Sequence, residues 1–249
     1  MTTWVLLRGL MREARHWGEF PALFKNTVGA QQVAAPDLPG NGRMYAQSSP
    51  TSVAEMAQYC RAQLGQQGYA PPYSLFGLSL GGMVATAWSE CYPAELERLV
   101  LINTSMAPYN PFYRRLRPKN YPALIRRLLF GSAAQRESLI LRLTSNLKSR
   151  EEQQAILQLW TSYSRECPVT YANILRQLLA AANYRAASAA PSAPVLLLAS
   201  RQDALVDAQC SISLAQHWHC GIRLHPTAGH DLPLDDGEWV MRQVREWMG

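Results

Sequence analysis

Short apolar segments alternate along most of the chain with longer amphipathic segments, a pattern typical of strands that alternate with helices. The apolar segments predict six strands, at residues 3–7, 31–35, 73–76, 99–103, 195–200 and 222–225. The amphipathic segments predict helices at about 13–25, 52–65, 79–91, 207–217 and 238–248. This alternation predicts an α/β fold with a mostly parallel sheet and helices on both of its faces.

The alternation stops between the fourth and fifth predicted strands. Leucine, arginine and alanine recur there at helical spacing, and no segment predicts a strand. We therefore expect a helical insertion at residues 104–194, placed before the penultimate strand of a core domain made of residues 1–103 and 195–249. The insertion ends in a linker rich in Ala, Ser and Pro, at residues 186–194.

The size and composition fit one α/β domain with an insertion, because 249 residues can bury a core unaided. Hydrophobic residues make up 48% and charged residues 17%, which indicates a globular chain rather than a disordered one. No apolar run reaches the roughly 20 residues that a membrane-spanning helix needs. The chain also opens on a predicted strand without a signal-like segment, so we expect a cytoplasmic protein.

The positive charge is concentrated on the insertion. Residues 104–185 hold 13 Lys and Arg against 4 Asp and Glu, while the rest of the chain holds 11 and 14. The predicted helices there carry five arginines of interest, Arg114, Arg115, Arg117, Arg126 and Arg127. Two interpretations stay open: a solvated helical face, or a site for an anionic partner such as an acyl carrier protein, coenzyme A or another anionic substrate. Nucleic acid is not favoured, because aromatic residues are not interleaved with the arginines.

The cysteines and histidines predict neither disulfides nor a metal site. The five cysteines are scattered and never stand in C-x-x-C spacing. His217 and His219 are two residues apart, so their side chains would diverge on a helix. We expect reduced cysteines, no metal and no organic cofactor.

The candidate chemistry begins at Gly77-x-Ser79-x-Gly81, which lies between a predicted strand and a predicted helix. This G-x-S-x-G spacing is typical of a nucleophile elbow, a turn so tight that small residues must flank the serine. The alternative is a structural serine that caps the helix. Because a serine hydroxyl is a poor nucleophile, the first interpretation requires a base and an acid elsewhere in the chain.

Asp203 and His230 follow later predicted strands in the order serine, acid, histidine. We therefore predict a triad in which Ser79 is the nucleophile, His230 the base and Asp203 the acid. Asp207 and Asp231 compete for the role of the acid, although Asp207 is placed to cap the next helix and Asp231 adjoins the base. His16 is expected to pack against the first helix near the mouth of the pocket.

With these residues the chain resembles the α/β-hydrolase family over nearly its whole length. The segment Asp37-Leu38-Pro39-Gly40-Asn41-Gly42 resembles the D-x-P-G-x-G loop of that family, and Gly229-His230 resembles the G-H before its last helix. The predicted first strand resembles the third strand of the family, and the insertion is similar to the cap that roofs its active site.

This resemblance implies a serine hydrolase with an oxyanion hole formed by the backbone N–H groups of Leu10 and Leu80. Arg8 departs from the family's usual His-Gly-x pattern, which leaves the geometry of that loop open. Within the family, the chain is similar to the carboxylesterases related to pimeloyl-acyl-carrier-protein methyl ester esterase, which implies a carboxylic ester as substrate. A thioesterase, lactonase or carbon–carbon bond hydrolase could use the same triad, and a non-catalytic binding protein is the alternative from another class.

Overall fold

The computed structural model describes residues 2–249 and contains one parallel sheet. Within these residues the sheet has six strands in the order β2-β1-β3-β4-β5-β6. The strands are β1 (Thr3–Leu7), β2 (Gln32–Ala34), β3 (Tyr73–Leu78), β4 (Leu96–Ile102), β5 (Val195–Ser200) and β6 (Gly221–His225). The predicted α/β fold with a six-stranded parallel sheet is confirmed.

Helices cover both faces of the sheet and fill the segment between β4 and β5. They are α1 (Phe20–Thr27), α2 (Val53–Gln66), α3 (Leu80–Cys91), α4 (Phe112–Arg115), α5 (Tyr121–Phe130), α6 (Ala133–Thr144), α7 (Arg150–Glu166), α8 (Tyr171–Asn183), α9 (Gln209–Trp218) and α10 (Leu232–Met248). Helices α4 to α8 form the insertion expected before the penultimate strand. That the insertion is a separate domain stays a prediction.

Alternate strand residues build two hydrophobic cores, because successive side chains of a strand point to opposite faces. On one face, Val5 and Leu7 of β1 belong to a core shared with α2, α3 and α9. On the other face, Trp4 and Leu6 pack with α1 and α10, around Phe24 and its neighbours. The sheet is therefore buried on both sides.

Two of the predicted helices have wrong boundaries. The helix predicted at 13–25 is a short 3-10 turn at Ala14–Trp17 followed by α1, because Gly18 interrupts them with a φ of 54°. The last helix begins at Leu232 instead of residue 238 and is interrupted at Asp236, whose φ of −154° is not helical. The apolar periodicity that predicted it begins only after that interruption.

The order of the strands places a cleft beside the candidate nucleophile. Strand β1 pairs with β2 on one side and with β3 on the other, and both pairings are parallel. The order in which strands are added to the sheet therefore reverses at β1. Ligands of open parallel sheets bind at the carboxyl ends of the strands where this reversal occurs. Here Arg8, the residue after β1, and Leu78, the last residue of β3, border a cavity of about 440 Å³.

Among residues 2–249, no helix combines the length and the apolar character that crossing a bilayer requires.

Candidate active site

Ser79 lies in a strained turn between β3 and α3. Its φ of 57° and ψ of −116° are unusual for a residue with a side chain. Its backbone is held from both sides, since its N–H donates to Ile102 O at 2.9 Å and its carbonyl accepts from Thr104 Oγ1 at 2.8 Å. The side chain itself is half-buried and borders the cavity. The turn thus presents a hydroxyl to the cavity.

The two glycines of the motif are required by close backbone approach. A Cβ on Gly77 would lie 2.4 Å from Gly81 O, and a Cβ on Gly81 would lie 2.1 Å from Leu7 O. Both contacts are with backbone atoms, which cannot rotate away. The spacing found in the sequence therefore has a steric cause in the fold.

His230 and Asp203 form a buried hydrogen-bonded pair at the same edge of the sheet. His230 Nδ1 lies 2.7 Å from Asp203 Oδ2, and both residues are almost fully buried. The other oxygen, Asp203 Oδ1, accepts the backbone N–H groups of Leu205 at 2.7 Å and Val206 at 2.9 Å. These bonds fix the carboxylate, and the carboxylate orients the ring so that Nε2 is free for another partner.

The pKa of His230 is raised above its ordinary value. Burial alone would lower it, because it disfavours the imidazolium. The charge and hydrogen bond of Asp203, helped by the charge of Asp231, outweigh burial and the opposing charge of Arg8. The pair therefore favours a histidine that accepts a proton.

The two competing carboxylates have other partners. Asp231 forms a bidentate ion pair with Arg8, with Nη2 to Oδ2 at 2.6 Å and Nη1 to Oδ1 at 3.2 Å. Asp207 accepts the backbone N–H of Gln209 at 2.9 Å, just before α9. Of the three aspartates, only Asp203 bonds to the ring of His230 among residues 2–249.

Arg8 stands in the loop after β1, where the family usually has a histidine, and it pairs with Asp231. Its guanidinium is buried, stacks 4.5 Å above the ring of Trp17 and neutralises Asp231 beside His230. Arg8 thus joins the loop after β1 to the loop that carries His230.

Leu10 and Leu80, whose backbone N–H groups are the candidate oxyanion donors, both border the cavity beside Ser79. Within residues 2–249 neither group donates a hydrogen bond to another residue. Gly9, just before Leu10, lies so close that an added Cβ would be 3.3 Å from the Cβ of Ser79. Two unpaired donors next to a nucleophile can stabilise an oxyanion.

Ser79 Oγ and His230 Nε2 make no hydrogen bond within the described chain, although both residues border the same cavity. Catalytic hydrogen bonds are often loose without substrate and tighten when it binds. Ser79 and His230 therefore border one cavity without a hydrogen bond between the serine hydroxyl and the imidazole ring.

The cavity is lined mainly by aliphatic side chains from the insertion. Its walls come from α5, α6 and α8, and include Leu124, Leu128, Leu139, Ile140, Leu143, Ile174 and Leu178. An apolar cavity with a few convergent polar groups is the usual form of a small-molecule site.

The five predicted arginines do not act as one group. Arg115 and Arg127 border the cavity, and Arg115 donates to the carbonyls of Ala181 and Ala182. Arg117 is half-buried and lies 4.0 Å from Asp207. Arg114 and Arg126 do not border the cavity, and Arg126 is exposed.

Asn103 contacts the loop that carries His230, and the sequence did not predict this contact. Asn103 directly follows β4 and has a φ of 45°, and its Nδ2 donates to the carbonyls of His230 at 2.8 Å and Gly229 at 3.3 Å. Its Oδ1 accepts the N–H of Ser200 at 2.8 Å. Asparagine tolerates positive φ better than most residues, so an Asn directly after a buried strand was the available signal.

Gln177 of α8 is a second missed residue, and it connects the insertion to the loop after β1. Its Oε1 accepts the N–H of Met11 at 3.0 Å, next to the candidate oxyanion donor Leu10. Its Nε2 donates to Asn41 Oδ1 at 2.7 Å and Ser49 Oγ at 3.0 Å. Met11 has a φ of 60° at the third position of the turn closed by Arg12 N to Gly9 O. A polar residue in an amphipathic helix gives no sequence signal for such a role.

His16 is buried, but not at the mouth of this cavity. Its Nε2 lies 2.7 Å from Nη1 of the Arg12 guanidinium, and its ring packs against Trp160 and Tyr163 of α7. Burial, followed by the charges of Arg12 and Arg8, lowers the pKa of His16 well below its ordinary value. Arg12 pairs with buried Glu137 of α6 at 2.7 Å. His16 therefore belongs to a packed contact between the loop after β1 and the insertion.

No metal centre is found in residues 2–249, where no three His, Cys, Asp or Glu side chains are grouped to hold an ion. The five cysteines all carry free thiols. His217 bonds to the carbonyl of Ser213 on its own helix at 2.7 Å.

The fold and this site define an α/β protein with a serine at a nucleophile elbow. A family model described as the alpha/beta hydrolase family matches residues 4–243. The chain belongs to the α/β-hydrolase family, as its motifs predicted. No curated protein sequence matches this chain.

Solved structures with the same fold include three hydrolases. A thermophilic esterase from Thermogutta terrifontis is 21% identical, with a TM-score of 0.77 over 100% of this chain and 89% of that one. An enol-lactonase from Burkholderia xenovorans LB400 is 17% identical, with a TM-score of 0.78 over 100% of this chain and 92% of that one. 2-Hydroxy-6-oxo-6-phenylhexa-2,4-dienoate hydrolase from Rhodococcus sp. strain RHA1 is 17% identical, with a TM-score of 0.79 over 99% of this chain and 90% of that one. At these identities the likeness is one of fold.

Proposed function

We propose that the protein is a serine hydrolase that cleaves carboxylic esters through an acyl-enzyme. One observation carries the proposal: the strained turn at Ser79 borders the same cavity as His230, and His230 is paired with buried Asp203. A structural serine that caps a helix would need neither of these partners, and the side chain of Ser79 makes no capping hydrogen bond to α3.

Each group of the site has a defined role in the proposed reaction. His230 Nε2 takes the proton of Ser79 as Oγ attacks the ester carbonyl, and Asp203 stabilises the imidazolium that forms. The N–H groups of Leu10 and Leu80 stabilise the oxyanion of the tetrahedral intermediate. His230 then protonates the leaving alcohol. Water, deprotonated by the same histidine, releases the acid from Ser79.

The cavity supports an apolar acyl group longer than acetyl. Aliphatic side chains of α5, α6 and α8 surround the space above Ser79, and burying methylene groups there would stabilise the bound ester by about 0.8 kcal/mol each. We expect kcat/KM for p-nitrophenyl esters to rise from acetate to the medium-chain esters and then to fall as the cavity is filled.

The same groups could attack a thioester, a lactone or a carbon–carbon bond next to a carbonyl, since only the leaving group differs. A panel with one substrate of each kind separates these reactions from ester hydrolysis. An ester rate at or below the rates for the other three would contradict the ester assignment while leaving the nucleophile in place.

We also propose that the arginine-rich part of the insertion attracts an anionic partner, for which a charged substrate and an acyl carrier protein are two candidates. Support comes from Arg114 and Arg126, which lie outside the cavity and have no acidic partner in residues 2–249. If reversing Arg114, Arg115 and Arg117 to Glu leaves kcat/KM for an acyl-carrier-protein ester unchanged at low salt, steering toward that protein is wrong. Location in the cytoplasm stays a prediction from the sequence.

The central test is replacement of the nucleophile. Ser79→Ala should lower kcat for p-nitrophenyl acetate by at least about 10³-fold and abolish labelling by a fluorophosphonate. Ser105→Ala is the matched control, because Ser105 borders the same cavity without lying at the elbow. Turnover by Ser79→Ala near the wild-type rate, or no labelling of the wild type, would exclude the proposed mechanism.

A further inference from the structure

The segment 112–130, which holds α4 and α5, combines positive charge with exposed apolar side chains. It contains six basic residues, Arg114, Arg115, Arg117, Lys119, Arg126 and Arg127, and no acidic residue. Its charge is therefore uniform, unlike that of the neighbouring helices α6 and α7, which contain glutamates.

The apolar residues of this segment are exposed to an unusual degree. Phe112 is 73% exposed and Phe130 is 81% exposed, and Tyr113, Ile125 and Leu129 are each at least half exposed. No residue of α4 or α5 is fully buried. A single exposed apolar residue is common on protein surfaces, but a cluster of five in nineteen residues needs an explanation.

The exposed apolar residues continue into the lining of the cavity. Ile125 of α5 both borders the cavity and is exposed, and Leu178 of α8 does the same. Helix α5 thus presents Leu124 and Leu128 to the cavity and Leu129 and Phe130 to the outside. The exposed apolar residues and the apolar lining of the cavity are therefore adjacent on this helix.

We propose that the 112–130 segment docks the protein on an anionic lipid surface, with Phe112, Leu129 and Phe130 inserted among the headgroups. Helices that lie in the membrane interface combine basic residues with Phe and Leu, and their binding grows with buried apolar area and with attraction to anionic lipids. Both contributions are present in this segment.

The charge pattern argues against the other occupants. A second copy would place two surfaces with six positive charges each against one another, because a symmetric dimer pairs the same patch with itself. An acidic protein or a nucleic acid would be bound through the arginines, and neither accounts for protruding phenylalanines at both ends of the segment. A lipid surface accepts both kinds of side chain.

The test is sedimentation of the intact protein with vesicles of phosphatidylcholine alone or mixed with phosphatidylglycerol. We expect binding to the mixed vesicles at least about tenfold stronger than to phosphatidylcholine, and weaker binding in high salt. The triple variant Phe112→Ser, Leu129→Ser, Phe130→Ser should bind the mixed vesicles at least about tenfold more weakly. Its turnover of dissolved p-nitrophenyl acetate should match the wild type, since none of the three residues borders the cavity.

The matched control is the double variant Leu23→Ser, Leu159→Ser, which removes two leucines that are each 52% exposed on another part of the surface. It should bind the mixed vesicles as the wild type does. Equal loss in this control, or equal binding to both vesicle types, would overturn the proposal. So would a wild type that binds an acyl carrier protein or forms a dimer through the same three residues without binding vesicles.

Discussion

The sheet and the insertion meet at one cavity, yet they are built in different ways. The central strands β3 and β5 are buried on both faces, and Ser79, Asp203 and His230 are held by hydrogen bonds at strand ends. The helix α5 of the insertion has no buried residue, and the insertion contacts the loops after β1 and β2 through polar groups such as that of Gln177. The sheet thus fixes the candidate site residues, while the insertion lines the cavity beside them.

This difference predicts where substitutions act. Changes in the sheet should alter chemistry or folding by large factors, because its contacts involve backbone atoms and buried charges. Changes on the outer side of the insertion should alter selection and binding. The contacts between the two regions are the places where this division can fail.

The largest expected effect follows from removing the charge that holds the base. Asp203→Asn should lower kcat by about 10⁴-fold, because the amide favours the wrong tautomer of His230. Asp207→Asn is the matched control, since its carboxylate caps α9 and does not contact the ring. Steady-state kinetics with p-nitrophenyl acetate measure both. Similar losses in the two variants would show that the acid has been misassigned.

The next effect tests the backbone packing of the elbow. Gly81→Ala should destabilise the fold by about 3 kcal/mol or more, because the added Cβ would overlap Leu7 O. Gly65→Ala makes the same change in α2, where a Cβ meets no atom within 4 Å, and should stabilise by about 0.5–1 kcal/mol. Urea unfolding gives both free energies. Equal stability of the two variants would refute the steric requirement.

A smaller effect is expected where the insertion touches the sheet region. Gln177→Leu removes the acceptor for Met11 N–H, so the turn that carries Leu10 should lose its fixed position. We expect kcat to fall about tenfold with KM nearly unchanged, since an oxyanion donor acts mainly in the transition state. Affinity for a boronic acid, which mimics the tetrahedral intermediate, should fall in parallel.

Asn173→Leu is the control for this prediction, because Asn173 lies one turn earlier on α8 and bonds to Ser49 N and Gln47 O without touching Met11. It should lower stability with kcat within about twofold of the wild type. If both variants lose kcat equally, Gln177 has only a general structural role.

The smallest effect concerns pH. Because the charge of Asp203 raises the pKa of His230 despite burial, the histidine becomes protonated at a higher pH than an ordinary one. The acid limb of kcat/KM should therefore have its midpoint above 6.5, the ordinary value, with activity lost as the pH falls through it. A profile of kcat/KM from about pH 5 to 9 measures it. A midpoint at or below that value would contradict this account of the pair.

The sequence predicted the sheet region well because its rules are local. The motif Gly77-x-Ser79-x-Gly81 follows from a steric constraint between neighbouring backbone segments. Buried strands are recognised in the sequence as short apolar runs. The family and the six-stranded parallel sheet were predicted on this basis. The pairing of Asp203 with His230 followed from strand order, and their catalytic roles stay predictions.

What the sequence did not predict depends on residues far apart in the chain. Arg8 and Asp231 are separated by 223 positions, and Gln177 and Met11 by 166. The orientation of a helix against a loop decides such contacts, and hydrophobic periodicity does not report it. The helix predicted at 13–25 was wrong for a local reason, since Gly18 adopts a backbone conformation that no helix continues.

The contact of α6 with the histidine loop limits how this enzyme fold can be rebuilt. Asp231 N–H donates to Thr144 O at 2.6 Å, and Asp235 accepts from Ser145 Oγ at 2.6 Å and from Gly229 N–H at 2.6 Å. A grafted insertion from another hydrolase would lack these anchors and would leave the loop of His230 unsupported. Chimeras made to change substrate range should therefore keep residues 144–146 and Gln177 and vary the cavity-lining residues of α5, α6 and α8 around them.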